Sequence, residues 1–277
     1  MAHYLTGSDW NSTGSYDDAD VPDAGEDVIL GADSPALTTG PSGANQDVKI
    51  GTLHVLKDYK YDFCSSGAPW IGSAAKIIFE HPGNAYVQAD AGGAANKTNK
   101  VIIRAPGFNS SQVIQLGKAA DPGDIEYVVV ARGNVQLVNP TGLLKVLVDH
   151  VSNPSGDAQL TIDSASGTIP FLEAKNGRVI NSTTITTAII DGAAYLRQAL
   201  NTITNLHGGG QASIDWDAAA TCAIAWLGGL ATLDLTKTDK AKVFTTTYLL
   251  GRSILKRWPG SALHTFTNAI DDWRDAA

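Results

Sequence analysis

The sequence predicts an all-β protein whose central region is a right-handed parallel β-helix. Three observations carry this expectation. From about Val48 to Leu235, short β-type runs are each closed by Gly, Asn, Asp or Pro, with almost no helix-period stretch between them. In the later part these runs recur at an irregular interval of roughly 20 residues. Charged residues make up 17% of the chain, below the roughly 25% of ordinary globular proteins, so the polar surface comes from Thr, Ser, Asn and Gly. Strands this short bury little area alone and gain a core by stacking. A β-sandwich or jelly roll is the alternative arrangement of the same strands.

Residues 1–46 read as an acidic, turn-rich N-terminal arm. Asp17, Asp18, Asp20, Asp23, Glu26 and Asp27 fall close together, and Pro22, Gly25, Gly31, Pro35, Gly40, Pro41 and Gly43 punctuate them. Within the arm, Asp27 to Leu30 has strand character. The acidic spacing lacks the Asp-x-Asp-x-Asp-Gly pattern with a distal Glu that a Ca²⁺ loop requires, so a solvated loop is expected.

Residues 47–240 form the expected β-helix domain. Lys76–Glu80 stops at His81-Pro82-Gly83-Asn84, Ala85–Gln88 at Gly92-Gly93, and Lys100–Arg104 at Ala105-Pro106-Gly107. Ile125–Ala131 stops at Gly133-Asn134, and Val135–Val138 at Asn139-Pro140. The repeat then runs through Val179–Ile185, Thr187–Gly192, Leu200–Leu206, Gln211–Trp216, Thr221–Trp226 and Leu230–Leu235. Apolar residues alternate with Thr, Ser, Asn and Asp, as expected when one strand face points inward. Gly208-Gly209-Gly210 and Gly228-Gly229 are expected corners, where glycine supplies positive φ.

Residues 241–277 are the expected C-terminal cap and tail. Lys242–Arg257 reads as a terminal strand pair or a capping helix. After Pro259-Gly260, Thr267–Arg274 reads as a short helix with Phe266, Ile270 and Trp273 on one face. A solenoid needs such caps because an open end exposes unpaired strand edges and core.

Several functions are disfavoured. The formal charge of -8 and pI near 5.1 argue against a nucleic-acid binder, which needs a basic face to release counterions. The one basic cluster is Arg252, Lys256 and Arg257. No stretch approaches the roughly 20 apolar residues of a membrane helix. Met1 to Trp10 lacks the basic start and apolar run of a secretory signal. With two distant cysteines, Cys64 and Cys222, this leads to an expectation of a cytoplasmically assembled, reduced chain without a disulfide framework. The six histidines are isolated from one another, so no metal or other cofactor is expected. No nucleophile elbow, phosphate loop or dinucleotide turn occurs.

Parallel β-helices can cleave polysaccharides with carboxylates on a solvent-facing strand face. Asp215 and Asp217 have the i, i+2 spacing that places two carboxylates together, with Trp216 pointing the other way into the core. Asp234 and Asp191 sit at similar strand ends. No Lys or Arg lies nearby in sequence to act as a base, so no enzyme is expected. A polysaccharide-degrading enzyme or tailspike-type carbohydrate binder is the alternative. Tyr4, Trp10 and Tyr16 in the arm, and Trp258, Phe266 and Trp273 in the tail, are expected to anchor a protein partner or to pack the ends.

The opening has Trp10 followed by Val21-Pro22-Asp23-Ala24-Gly25-Glu26-Asp27-Val28-Ile29. It resembles the "Trp … Val-Pro-x-x-Gly-Asp-x-Val-x-Ile" openings that precede β-helical domains in phage virion and bacterial surface proteins. One residue is inserted before the acid here. The family it resembles is the tailed-phage capsid cement, or decoration, proteins with a tailspike-like β-helix. That resemblance implies a structural virion protein on the outer capsid surface, contacting the major capsid protein or other virion proteins as a homodimer or homotrimer. It carries over no individual residue.

Overall fold

The computed structural model describes residues 1–88, 97–105, 112–117, 125–139, 142–148, 158–163, 167–258, 262–267 and 271–272, with the side chains of 43, 44, 271 and 272 left aside. The chain divides into two compact units, Met1–Leu144 and Lys145–Ala277. Each unit is built of parallel strands in stacked coils, the β-solenoid arrangement. Two short 3-10 turns, Thr13–Ser15 and Gly43–Asp47, are the helical elements among the described residues.

The first unit contains β1 (Ala2–Tyr4), β2 (Asp27–Leu30), β3 (Lys49–Val55), β4 (Ser73–Phe79), β5 (Ala85–Val87), β6 (Thr98–Arg104), β7 (Ile114–Leu116) and β8 (Ile125–Val138). One sheet runs β1, β2, β3, β4, β6 and the first half of β8, all parallel. A second runs β5, β7 and the second half of β8. Along each strand the residues alternate buried and partly exposed, so every coil places like residues over like. Leu53, Ile77, Val101 and Val128 form one buried column in register, and Val55, Phe79, Ile103 and Val130 another. Such columns are the core: each coil covers the apolar face that its neighbour cannot bury alone.

Gly133-Asn134 was expected to end a strand. Instead β8 runs through it, and Gly133, at φ 107°, bends the strand from one sheet to the other. A glycine turn and a glycine bend carry the same local signal, and pairing on both sides decides between them.

The arm does not stand apart from the solenoid. His3 pairs in register with Val28, and Val28 with Leu53, so the arm supplies the first coil and the opening strand of the second. The expected boundary between 46 and 47 is therefore crossed by the sheet. Trp10 and Tyr16 are 2% and 3% exposed, so of their two expected roles, anchoring a partner or packing an end, the burial matches the second. They close the end of the core. The Trp10 ring meets those of Tyr16 and Trp70 with centroids 6.3 and 5.7 Å apart. Tyr4 remains exposed.

His3 sits in the buried first layer with both ring nitrogens engaged. Nδ1 lies 2.9 Å from Asp18 and Nε2 2.7 Å from Glu26. The Met1 amino group approaches Glu26 at 3.9 Å, and the Tyr16 ring packs edge-on to the imidazole. Donation to both carboxylates requires the doubly protonated ring. Burial would lower the His3 pKa, but the bonds and charges of Glu26 and Asp18 outweigh it and hold it above the ordinary histidine value. A raised folded-state pKa gives stability that is full below about 6.5 and fades as pH rises through the folded value. The partner carboxyls are held low: burial raises Asp18, but its His3 bond prevails, while for Glu26 the Asp23 backbone bond leads, followed by His3. Their share is lost as pH falls through their folded values. We expect His3→Gln to cost more stability at about pH 6 than at about pH 8.5. Urea denaturation at both values measures this, and an equal loss at the two would refute the clamp.

The second unit contains β9 (Lys145–Val148), β10 (Ala158–Asp163), β11 (Thr168–Ala174), β12 (Arg178–Asn181), β13 (Thr184–Ile190), β14 (Tyr195–Gln198), β15 (Ile203–Gly208), β16 (Ser213–Trp216), β17 (Thr221–Leu227), β18 (Thr232–Asp234), β19 (Lys242–Leu249), β20 (Ile254–Lys256), β21 (His264–Phe266) and β22 (Asp271–Asp272). One parallel sheet runs β9, β11, β13, β15, β17, β19 and β21. The other runs β10, β12, β14, β16, β18 and β20. Leu160, Val179, Leu196, Ile214 and Leu233 form one buried column, and Leu172, Ala188, Leu206 and Ala225 another. At one inward position polar side chains satisfy a corner: Asn181 Nδ2 donates to Gln198 Oε1 at 2.8 Å and to the Thr183 carbonyl at 2.7 Å. Corner glycines Gly192, Gly210, Gly229 and Gly251 share positive φ; within the two expected glycine corners it falls on Gly210 and Gly229, whereas Gly208 ends β15.

The C-terminal region follows the strand alternative for Lys242–Arg257 and departs from the helix expected after it. Lys242–Arg257 supplies β19 and β20, ordinary coils that continue the sheets across the expected boundary at 240. Asp271 and Asp272 pair as a strand with Tyr248 and Leu249, within the run expected to be helical. The ladder edge of β19 offers a partner to any extended segment, which local capping signals cannot register. Trp273 lies outside the described residues.

Candidate functional site

The carboxylates singled out by sequence come together on the β14–β16–β18–β20 sheet. Arg197, Asp215, Asp234 and Lys256 are in register on successive coils. Asp217 follows β16, and its backbone N–H donates to the Gln198 carbonyl at 2.9 Å. Trp216 between them is fully buried against Phe244, as expected from strand alternation. Asp191 does not join: it lies at the glycine corner, where its Oδ1 accepts from the Gly192 N–H at 2.7 Å.

Each carboxylate here has a neighbour. Arg197 Nε donates to Asp217 Oδ2 at 2.6 Å, and Tyr195 Oη donates to Asp215 Oδ2 at 2.8 Å. Lys237 Nζ lies 3.8 Å from Asp215 and 3.7 Å from Asp234, and Lys256 Nζ lies 3.8 Å from Asp234. Asp234 Oδ1 also accepts from the Thr236 N–H and hydroxyl at 2.9 and 2.7 Å. Three cations thus face three carboxylates. Asp217 is 7% exposed, and its Oδ1 has no hydrogen-bond partner.

The sequence reading missed Tyr195, Arg197, Lys237 and Lys256. Tyr195, Arg197 and Lys256 arrive from adjacent coils, whereas Lys237 stands only three residues after Asp234 and was within reach of a local reading. The signal was present in the roughly 20-residue repeat: Arg197, Asp215, Asp234 and Lys256 occupy equivalent positions on four coils.

Electrostatics favours fixed charge. Burial raises the Asp234 pKa, but Thr236, Lys237 and Lys256 outweigh it and hold the carboxyl below its ordinary range. Burial, followed by the bond to Asp215, pushes the Tyr195 phenol up to about 12. The bond to Asp217 raises Arg197. A glycosidase needs one carboxyl held protonated near neutral pH. Asp234 is shifted the opposite way, and Tyr195 and Arg197 are shifted away from service as bases.

A second feature lies on the outer face of the β15–β17–β19 sheet. His207, Trp226 and Tyr248 are in register and stacked, with centroid distances of 6.5 and 4.0 Å. Their ring planes lie within 23° of their neighbours', and contact between successive rings adds inter-coil cohesion, while Trp226 stays 38% exposed. In the first unit a groove of about 480 Å³ is lined by Leu56, Lys57, Asp58, Glu80, Arg104 and Arg132. There Glu80 lies 3.2 Å from His54 and 3.9 Å from Arg104.

Of the expected tail anchors, Trp258 is half-buried and stacks on His264, with centroids 5.4 Å apart. Phe266 is half-buried between Phe244 and the Arg257 guanidinium. Cys64 and Cys222 are separate buried thiols, each pushed to about 12 by burial. Among the described residues, no three His, Cys, Asp or Glu side chains come together to hold a metal, and no helix is long and apolar enough to cross a membrane. Comparison with known proteins finds no matching family model, curated protein or solved structure.

Proposed function

We propose that this protein is a structural, non-enzymatic virion component, a cement protein that binds the outer surface of a phage head through other virion proteins. The observation that carries this reading is the neutralised charge cluster: Asp215, Asp217 and Asp234 are held by Arg197, Lys237, Lys256 and Tyr195. Such an arrangement stiffens neighbouring coils and leaves no obvious acid–base pair. The parallel coils of each unit, which repeat one strand surface, support the same reading. So does the resemblance of the Trp10 to Ile29 opening to those of phage virion proteins.

Co-sedimentation with purified particles tests it. Retention on heads in many copies is the expected result; absence from particles would overturn the proposal. The glycan-cleaving alternative draws on the same cluster, because carboxylates and basic groups do converge there. We expect no product from a panel of capsular polysaccharides. Cleavage that is abolished by Asp215→Asn or Asp217→Asn, with the fold intact by circular dichroism, would show that alternative to be right.

A further inference from the structure

The first and last coils end in different ways. At the first coil the inward layer is closed: His3, Leu5, Trp10 and Tyr16 are all buried. The chain also folds back along the outer edge of β1. Tyr4 N–H donates to Asp17 Oδ1 at 2.9 Å, Asp17 N–H to the Tyr4 carbonyl at 3.1 Å, and Thr6 N–H to the Ser15 carbonyl at 2.8 Å. This hook satisfies the edge that would otherwise seek another strand.

The last coil has no equivalent hook among the described residues. Leu255 continues the buried Ile214–Leu233 column, yet it is half-exposed, as is Phe266 above buried Phe244. Ile254 is 47% exposed. The outer edges of β20 and β21 pair with no further strand among the described residues. His264 is 7% exposed, and neither ring nitrogen has a hydrogen-bond partner. Half-exposed core residues and an unpaired strand edge thus lie together at the last coil among the described residues, with His264 buried beneath Trp258.

The two terminal coils carry opposite charge. Residues 1–48 contain nine Asp or Glu and no Lys or Arg. Residues 235–272 contain six Lys or Arg against three Asp, Asp271 and Asp272 of β22 among them. Asp17, Asp18, Asp20 and Asp23 are exposed on the hook, and Lys237, Lys240, Arg252, Lys256 and Arg257 are exposed around the last coil. A second C-terminal coil would present like charge to this rim, whereas the hook presents the complementary one.

We propose that copies of this protein associate head to tail, the basic last coil of one covered by the acidic hook of the next. Such an interface is heterologous, joining two different surfaces. The proposal is independent of particle binding. Mass measurements by light scattering over a range of protein concentration, at about 0.05 M and about 0.5 M salt, test it directly. At low salt the mass of the wild type rises with concentration; at high salt it falls back toward the monomer. Arg252→Glu with Arg257→Glu takes residues 235–272 from a net charge of +3, six basic against three acidic, to -1, four against five. Asp20→Lys with Asp23→Lys takes residues 1–48 from -9 to -5, two basic against seven acidic, so each variant weakens the charge of one of the two surfaces and leaves the other intact. Each double variant alone associates at least about tenfold more weakly, and an equal mixture of the two recovers association. Melting curves confirm that both are folded. If either charge reversal unfolds, the neutralising pairs Arg252→Ala with Arg257→Ala, and Asp20→Asn with Asp23→Asn, must weaken association in the same way. A wild type that stays monomeric at all concentrations, or a mixture that fails to recover, overturns the proposal.

Discussion

Trp10→Ala is expected to destabilise the first unit by about 3–5 kcal/mol, the range for truncating a buried tryptophan. Trp10 is 2% exposed. Its backbone joins two segments, since its N–H donates to the Thr39 carbonyl at 3.0 Å and its carbonyl accepts from Tyr16 Oη at 2.8 Å. The ring contacts Trp70, which in turn contacts Phe63. Removing the indole leaves a cavity beneath the hook and exposes this aromatic cluster from the end. Deleting residues 2–20 should therefore unfold or aggregate the protein, since it also uncovers β2. Equilibrium denaturation with intrinsic fluorescence measures both. A deletion that keeps full stability but loses binding to particles would restore the view of this segment as an attachment device.

Gly210→Ala is the second large effect, expected at roughly 2–4 kcal/mol from left-handed strain and overpacking together. Gly210 has φ 55°, and an added Cβ would lie 2.7 Å from the Gly192 nitrogen and 2.8 Å from Asp191 Oδ1. The obstacle includes backbone of the preceding coil, so a side-chain rotation cannot relieve it. Gly251→Ala is the matched control. Its φ is 65°, but the nearest atom to the added Cβ is the Gly229 carbonyl oxygen at 3.5 Å. It should cost only the conformational part, roughly 1–2 kcal/mol. Denaturation midpoints of the two variants separate strain from packing. Equal losses would mean that stacking at this corner contributes nothing.

What could be read from the residues was whatever local physics encodes. Alternation of apolar and polar residues reports a strand with one inward face. Glycine at the end of such a run reports a corner, and the irregular spacing of these runs reports coils. Thr221–Leu227 and Thr232–Asp234 lie where the pattern placed them for that reason. The inward direction of Trp216 followed from the same alternation.

Which residues meet across coils was decided by the tertiary structure. Arg197, Asp215, Asp234 and Lys256 form one column, yet their unequal spacing has no fixed motif because corner lengths vary from coil to coil. The arm's poor strand pattern suggested a loose segment. Three residues at β1 and four at β2 suffice, however, because β3 supplies a ready ladder and Trp10 and Tyr16 fill the end of the core. Likewise Asp271 and Asp272 carry a local helix-start signal, but the exposed edge of β19 pairs them as a strand. Local sequence determines the form of a coil; the neighbour it stacks on determines its register, its ion partners and whether its aromatic residues lie inside or out.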